Sequence, residues 1–434
     1  MLRRFAFVAV LGWTALSGAQ DRPTILANAT LHLPQGVTRT ANLLIHQGKI
    51  MSISEPGAPL SSGAEMIDLR GRHLYPGFID AYSTSGIKVP ELPAATTPPA
   101  APASDTASAR MDPANRRGLR SDLQAAQLLS LKDNLTQYYQ QGLTAAHLSP
   151  GVGAFRGTTA VVSYLDADPS TVVLKAALGA DIVFRWSGGA SQGAAPGGYP
   201  NSLMGIIASM RQTLYDAQRE EKIRTSKPDA PADAMLRGLG GLVRREMPAI
   251  IGADNDREIY RAMQLADEFK FGLIVQGGRD AYKWSDVLKA QKIPVLLNVS
   301  MGTAPNRTPA AGDNTPAPVL EERYQTWLAR MTGVQKLQAD GVEFAFASEG
   351  DALGDFLSNI RILISNGLPE AQAVNALTLA PARILGVADR LGSIEPGKMA
   401  NLTVLSSNLA NPESKVISVV VQGRLIAVNP AGSP

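Results

Sequence analysis

The residues that could carry chemistry are few in this chain, and the histidines are the scarcest. The sequence has four histidines and no cysteine, which excludes disulfides and thiolate metal sites. His32 and His46 lie in strand-like segments near the N-terminus, and His73 comes shortly before the apolar run that ends in PGFID. His147 lies near the end of the segment LTAAHLS, where an ordinary packed imidazole and a role in a pocket both fit it. A metal site built from several histidines is therefore not expected.

Carboxylates are the remaining candidates for acid–base or metal chemistry. Asp254 follows the apolar run MPAIIGA, and Glu349 follows VEFAFAS with Asp351 close behind. Carboxylates and water can hold Mg²⁺, Ca²⁺ or Mn²⁺, but two side chains give weak affinity and little control of geometry. Ser348, Glu349 and His147 supply the residue types of a catalytic triad, but no G-x-S-x-G motif supports a serine hydrolase.

Composition indicates a large folded protein that is exported. Of the 434 residues, 45% are hydrophobic and 18% charged, enough for a large core arranged as one big domain plus a smaller one. The N-terminus MLRRFAFVAVLGWTALSGA has the basic start, apolar run and small residues of a secretory signal peptide. Its apolar run is too short to span about 30 Å of hydrocarbon. We expect residues 1–19 to be cleaved and the mature protein to be periplasmic or extracellular.

The charge balance argues against nucleic-acid partners. The formal net charge is +3, and loss of Arg3 and Arg4 leaves 39 basic side chains (41 − 2) against 38 acidic ones, a net of +1. No cluster of Lys and Arg is dense enough to follow a phosphate backbone. We expect no nucleic-acid binding and no transmembrane segment. A small-molecule ligand and a homo-oligomer both remain open.

The order of apolar runs indicates an α/β fold. Short strands separated by turns fill residues 23–74, and from Pro76 onward apolar runs alternate with amphipathic helices. There are eight such runs, the number that a (β/α)8 barrel needs, although an open doubly wound sheet gives the same alternation with fewer strands. The runs are PGFIDAY, LTAAHLS, TAVVSYL, DIVFRW, MPAIIGAD, FGLIVQGG, IPVLLNVS and VEFAFASEG. The tail from Ala388 is again rich in strands, and we expect it to pair with the N-terminal strands.

Several motifs resemble the metal-dependent amidohydrolase superfamily. PGFID (Pro76–Asp80) looks like its first barrel strand, and ALTLAPARILGVADRLGSIEPGKMANLTVL (Ala376–Leu405) resembles its C-terminal pattern. The segments QGLTAAHLSPGVGAFRGTTAVVSYL and MPAIIGADNDREIYRAMQLADEFKFGLIVQGG are similar to secreted imidazolonepropionase-like members, so the resemblance covers nearly the whole mature chain. It implies a distorted (β/α)8 TIM-type barrel over residues 76–385 and a composite β-sandwich built from residues 20–75 and 386–434.

The resemblance also shows what this chain lacks. The family hydrolyses non-peptide carbon–nitrogen bonds with one or two divalent metals, which lower the pKa of bound water towards 7. Where the family carries histidine and aspartate ligands on four strands, this chain carries other residues. They are Tyr82 and Thr84, Gly252 and Asp254, Gln276 and Gly277, and Glu349. Lys175 is the match to the family's bridging lysine. The chain is thus identified as a degenerate member without the metal-binding histidines.

These observations lead to one expectation and one alternative. We expect no metal and no cofactor, and a protein that acts by binding or as a scaffold. Lys175 would then be an ammonium beside Asp254 or Glu349 that replaces the charge of the metal. The alternative is an active hydrolase of a cyclic amide or similar substrate that uses one weakly bound divalent cation. In it Glu349, Asp254 and Lys175 are the candidate catalytic residues, and whether the chain is an enzyme stays open.

Overall fold

The computed structural model describes most of the chain between residues 22 and 428. The described residues are 22–33, 36–59, 63–90, 118–131, 135–185, 200, 202–309, 314–350 and 353–428. The predicted signal peptide and Asp351 lie outside them. Within this part of the chain no helix is long and apolar enough to cross a membrane.

The described residues form eighteen strands. They are β1 Thr24–His32, β2 Thr38–His46, β3 Lys49–Ser54, β4 Glu65–Asp68, β5 His73–Pro76, β6 Phe78–Ser83, β7 Leu143–Leu148, β8 Phe155–Thr158, β9 Ala160–Ser163, β10 Val173–Lys175, β11 Ala180–Val183, β12 Ala249–Ala253, β13 Leu273–Gly277, β14 Val295–Asn298, β15 Phe344–Ala347, β16 Leu402–Leu405, β17 Val416–Val421 and β18 Arg424–Ala427.

The helices of the described residues lie mainly between the later strands. They are α1 Leu135–Gln140, α2 Pro169–Val172, α3 Leu203–Ser226, α4 Ala234–Arg237, α5 Gly240–Val243, α6 Asp256–Phe269, α7 Ser285–Ala290, α8 Ala317–Asp340, α9 Phe356–Ser365, α10 Glu370–Leu377 and α11 Leu379–Ile384. Two 3-10 turns, Ala125–Gln127 and Ala281–Trp284, complete the set.

One sheet combines strands from both ends of the chain. Its order is β18-β17-β16-β5-β1-β2-β3, and β4 pairs with β1 outside this path. The join is made by β5, which runs parallel to β1 and antiparallel to β16, with Leu74 opposite Val404. Both of these side chains are fully buried, together with Leu26 and Leu43 from the N-terminal strands. The two ends therefore share one apolar core, since neither set of strands could cover this face alone.

Two further sheets hold the middle of the chain. One has the order β10-β9-β7-β6, and the other has the order β15-β14-β13-β12-β11-β8. Strands β6 and β7 are parallel, and β11 to β15 are parallel throughout. The backbone N–H of Glu349, just after β15, donates to the carbonyl of Tyr82 on β6 at 3.0 Å. The last strand of one sheet thus lies beside the first strand of the other, which is consistent with a TIM-barrel-type domain.

The run TAVVSYL does not behave as a third parallel strand. It forms β9, which is antiparallel to β7, with Val161 opposite His147. In the same region β8 is antiparallel to β11. The regular alternation expected from eight apolar runs is therefore wrong at this point. Apolar periodicity reports that a segment is buried and extended, but it carries no information about strand direction.

Helix α6 shows how the sequence fixes the segments next to the parallel strands. Asn255 caps its N-terminus by accepting from the backbone N–H of Glu258, whose carboxylate accepts from the N–H of Asn255 in return. This capping box satisfies amides that have no partner within the helix. Ile259 and Ala266 are buried on the face packed against the strands. The carboxyl end of β12, where Asp254 lies, is thereby held in place.

Candidate functional site

A cavity of about 490 Å³ lies where several parallel strands end. We call it the site cavity. All seven positions singled out by the family resemblance line it, although they span 268 positions of sequence (349 − 82 + 1). They are Tyr82, Thr84, Gly252, Asp254, Gln276, Gly277 and Glu349. Gly151, Arg156, Arg185, Glu258 and Arg279 are further lining residues that no sequence motif pointed to.

Asp254 is paired with an arginine. The Nε and one terminal nitrogen of Arg279 donate to Asp254 Oδ2, the first at 2.7 Å, and the backbone N–H of Arg279 donates to Oδ1 at 3.3 Å. The hydrogen-bonded carboxylate raises the pKa of the Arg279 guanidinium. Backbone bonds set this geometry, because the N–H groups of Gly278 and Asp280 donate to the carbonyls of Ala253 and Asp254. The guanidinium is therefore the counter-charge of Asp254.

Lys175 does not provide that counter-charge. It ends β10, its Nζ donates to the carbonyl of Leu385 at 3.3 Å, and it lies close to Gly386. It is not among the residues that line the site cavity. The prediction that Lys175 replaces the metal charge beside Asp254 or Glu349 is wrong. The short β10 pairs antiparallel with β9, and this register carries the lysine towards the segment after α11.

Glu349 is a carboxyl group in an unfavourable place for charge. Burial, followed by the negative charge of Asp254, raises its pKa from 4.5 to about 7, although hydrogen bonding to Asn298 and the charges of Arg279 and Arg156 act against the rise. Its Oε1 accepts from Nε2 of Gln276. Its backbone has φ of 57°, a left-handed conformation that is uncommon outside glycine. Residues in such conformations cluster at functional sites, because the surroundings must hold them there.

The serine next to Glu349 is not a nucleophile awaiting a base. Ser348 donates its hydroxyl to Asp80, and its backbone N–H donates to the same carboxyl group at 2.9 Å. Asp80 is fully buried, and burial raises its pKa to about 7. His147 is also fully buried, with Nδ1 at 2.7 Å from the carbonyl of Ala81, and burial lowers its pKa to about 4. Ser348, Glu349 and His147 therefore form no triad.

Behind the cavity wall lies a network that sequence reasoning missed. The Tyr82 hydroxyl donates to Asp181 Oδ2 at 2.6 Å, and the Ser149 hydroxyl donates to the same oxygen. Arg156 donates from one terminal nitrogen to the Tyr82 oxygen at 3.1 Å. Burial is the main cause that raises the pKa of Tyr82 far above its ordinary value, so the phenol stays neutral. Tyr82, which the family resemblance matches to a metal-binding histidine, is thus part of a buried hydrogen-bond network.

The residues of the cavity do not fit a divalent metal. Among the described residues no group of three or more His, Cys, Asp or Glu side chains is placed to hold one. The carboxylate of Asp254 is occupied by Arg279, and Arg156 brings a second guanidinium to the same cavity. At Gly252 a Cβ would lie 2.7 Å from Val183 Cγ1 and 2.9 Å from Gln276 Oε1, so neighbouring side chains already fill that space. No step of a reaction is therefore assigned to a metal here.

The fold and the position of the cavity define an α/β protein whose site lies at the carboxyl ends of parallel strands. A family model, the amidohydrolase family, matches residues 330–426. An amidohydrolase from Thermotoga maritima MSB8 has a similar structure, with a TM-score of 0.72, 23% identity and coverage of 93% of this chain and 99% of that one. The family model thus matches the C-terminal part of the chain, and the solved structure shows that the fold is similar over nearly all of it.

Curated relatives match only parts of the chain. N-acetylglucosamine-6-phosphate deacetylase of Haemophilus influenzae is 46% identical over 57 residues, which are 13% of this chain and 14% of that protein. 5-Methylthioadenosine/S-adenosylhomocysteine deaminase of Syntrophomonas wolfei is 24% identical over 214 residues, 39% of this chain and 50% of that protein. The matched segments thus span half or less of the length of these relatives.

Proposed function

We propose that this protein is a metal-free member of the amidohydrolase superfamily whose site cavity binds a small molecule. It would act as a binding or scaffold protein rather than as a metal-dependent hydrolase. The observation that carries the proposal is the pairing of Asp254 with Arg279 at the position where the family resemblance expects a metal ligand. The guanidinium of Arg279 already binds the carboxylate of Asp254, which a metal would need as a free ligand.

The electrostatic argument can be given a magnitude. Two like unit charges about 4 Å apart repel by about 4 kcal/mol at an effective dielectric constant of about 20, and a divalent ion doubles this. Among the described carboxylates of the cavity, Glu349 is the one that is committed neither to Arg279 nor to the helix cap, and a divalent ion would have to displace the proton that its pKa of about 7 allows it at neutral pH. One such carboxylate gives a divalent ion weak affinity, and the repulsion of the two guanidinium groups lowers that affinity further.

A second candidate function rests on Glu349. A carboxyl group with a pKa of about 7 in a cavity is suited to proton transfer at neutral pH. The deacetylase and the deaminase among the relatives are hydrolases, so an active hydrolase of a cyclic amide or similar carbon–nitrogen substrate is the alternative. This alternative needs one weakly bound divalent cation at Asp254 and Glu349.

Metal analysis of the purified protein separates the two functions. The protein is produced in medium supplied with zinc, manganese and iron, desalted, and measured by plasma mass spectrometry. We expect no metal in stoichiometric amount, and a melting temperature that a chelator leaves unchanged. A stoichiometric transition metal, or a chelator that lowers the melting temperature by several degrees, would contradict the proposal and support the hydrolase.

Three finer assignments also remain proposals. We infer that the two central sheets close as a distorted (β/α)8 barrel over residues 76–385, with a composite β-sandwich formed by 20–75 and 386–434. The chain would be an exported, imidazolonepropionase-like member with a signal peptide at 1–19. N-terminal sequencing of the protein from its native host tests export, for which the expected first residue is near Gln20. An intact Met1 would reject it.

A further inference from the structure

Arg156 holds more hydrogen-bond donors than the described residues use. It lies on β8, and its side chain is only 15% exposed. A guanidinium group has five N–H donors. One terminal nitrogen donates to the Tyr82 oxygen, and Nε is buried with no hydrogen-bond partner among the described residues. The residue lines the site cavity, so the donors of its terminal nitrogens that Tyr82 does not use can serve a bound molecule.

The nearest carboxylate forms an ion pair with Arg156 but accepts no hydrogen bond from it. Asp181 Oδ2 lies 3.9 Å from the nearest guanidinium nitrogen, which is beyond hydrogen-bond distance. That oxygen already accepts from Tyr82 and Ser149. A mostly buried charge is costly unless it is paired and hydrogen-bonded. The arrangement therefore leaves Arg156 short of an acceptor.

A second arginine lines the same cavity. Arg185 follows β11, two positions beyond Val183, which pairs with Gly252 in the register of the parallel strands. It is exposed and forms no ion pair with any described residue. The third arginine, Arg279, is already committed to Asp254. Among the described residues that line the cavity, Arg156 and Arg185 are thus the arginines with unused N–H donors.

The acidic residues of the cavity are otherwise engaged. Asp254 binds Arg279, and Glu258 accepts from the backbone amides of Asp254 and Asn255 in the helix cap. Glu349 accepts from Gln276, and burial disfavours its charged form. None of these three carboxylates makes a hydrogen bond to Arg156 or Arg185 within the described residues. Within the described residues the two arginines therefore keep N–H donors without an acceptor, and a bound molecule can supply one.

We propose that the site cavity binds a small organic anion whose carboxylate or phosphate group is held by Arg156 and Arg185. Arginine is suited to both groups, because its planar donors match two oxygen atoms at once. A volume of about 490 Å³ accommodates a small organic molecule. The inference rests on the proposed metal-free binding function and names the class of ligand for it.

The test compares a carboxylate anion, a phosphate anion and a neutral amide analogue of the carboxylate. Succinate, inorganic phosphate and the neutral analogue succinamide are titrated into the full chain by isothermal calorimetry, at constant ionic strength so that screening is equal. We expect saturable binding of succinate or phosphate and none of succinamide. The stronger of the two anions identifies the carboxylate or the phosphate as the preferred group.

Matched variants assign the binding to the two arginines. Arg156→Gln and Arg185→Gln should each raise the dissociation constant by about tenfold or more, the loss of about 1.4 kcal/mol of binding. Arg185 is exposed, so its variant keeps the test valid if Arg156→Gln folds poorly. Arg211→Gln is the control and should bind like wild type, because Arg211 is an exposed residue of α3 that pairs with Glu268 of α6.

Two outcomes would overturn the inference. One is the absence of binding by both anions in a metal-free protein, and the other is unchanged binding in Arg185→Gln together with Arg156→Gln. Both differ from failure of the proposed function, which would be seen as stoichiometric metal in the same preparation.

Discussion

Glu349→Gln should make the protein more stable at alkaline pH and leave it nearly unchanged at acidic pH. The glutamate has a pKa of about 7 in the folded protein against an ordinary 4.5, so between these values the folded state keeps a proton that the unfolded state has lost. The contribution of this residue to the free energy of unfolding therefore falls as pH rises through that window. A glutamine at this position keeps the acceptor for Gln276 and never acquires the charge.

The magnitude follows from the two pKa values. A pKa of 4.5 in the unfolded state and of about 7 in the folded state lowers the free energy of unfolding by about 3 kcal/mol at pH 8, where the carboxyl group is ionised in both states. At pH 5 the same difference lowers it by less than about 1 kcal/mol. The side chain is partly exposed, so solvent screening makes these values upper limits. Asp80, whose pKa is also raised to about 7, adds pH dependence of the same sign that the variant does not remove.

Urea unfolding from pH 5 to pH 8 measures this difference. Tryptophan fluorescence and far-ultraviolet circular dichroism should report coincident transitions if unfolding is two-state. Glu343→Gln is the matched control, because it removes an exposed carboxylate that pairs with Arg383. Glu343 comes directly before β15, the strand that Glu349 follows. Its pH profile should run parallel to that of wild type. If the profile of Glu349→Gln is parallel as well, Glu349 is charged in the folded protein at neutral pH and the reasoning is refuted.

Three further substitutions probe the same cavity. Arg279→Met should lower the free energy of unfolding by about 1–2 kcal/mol, because Asp254 loses its partner in an ion pair that is about a third exposed. Added Mn²⁺ should raise the melting temperature of this variant, but not that of wild type or of the control Arg211→Met. An unchanged response to Mn²⁺ would mean that the guanidinium is not what excludes the cation. Gly252→His should lower the free energy of unfolding by about 1–3 kcal/mol, because the new side chain overlaps with Val183 and Gln276. Calorimetry should show no zinc binding by this variant; stoichiometric zinc would show that a metal site can be rebuilt. Tyr82→Phe should lower the free energy of unfolding in urea by about 1–3 kcal/mol, because Asp181 loses a buried hydrogen-bond donor. Tyr260→Phe at an exposed position should leave it unchanged, and equal effects of the two substitutions would contradict the role of the hydrogen bond.

The placement of the cavity residues could be predicted from the sequence because strand ends are readable. Asp254 and Glu349 each follow an apolar run, and parallel strands bring such positions to one edge of a sheet. The direction of β9 could not be read, because the same apolar run suits a parallel or an antiparallel strand. Pairing of the two chain ends followed from their shared richness in strands.

The charge pairing inside the cavity was harder to anticipate. Arg279 stands directly after QGG, at the end of the strand next to Asp254, and an arginine at that spacing is the signal that could have revealed the pair. Lys175 drew attention through the family's bridging lysine, yet a lysine on a short irregular strand has no register that a sequence can fix. Arg156 gave no signal at all, since an arginine inside a strand is usually at the surface.

The strand pairing of β5 with β16 has a consequence for the timing of folding. Pro76 lies opposite Leu402, so 326 further residues (402 − 76) must be made after Pro76 before its partner exists. At ribosomal rates of about 5–20 residues per second, the N-terminal strands wait for about 15–65 seconds before their neighbours exist. During that time β5 presents an unpaired edge and the apolar face containing Leu74, the kind of surface through which nascent chains aggregate. A chaperone, or a chain that stays unfolded, would keep this surface from aggregating until the last strands have been made.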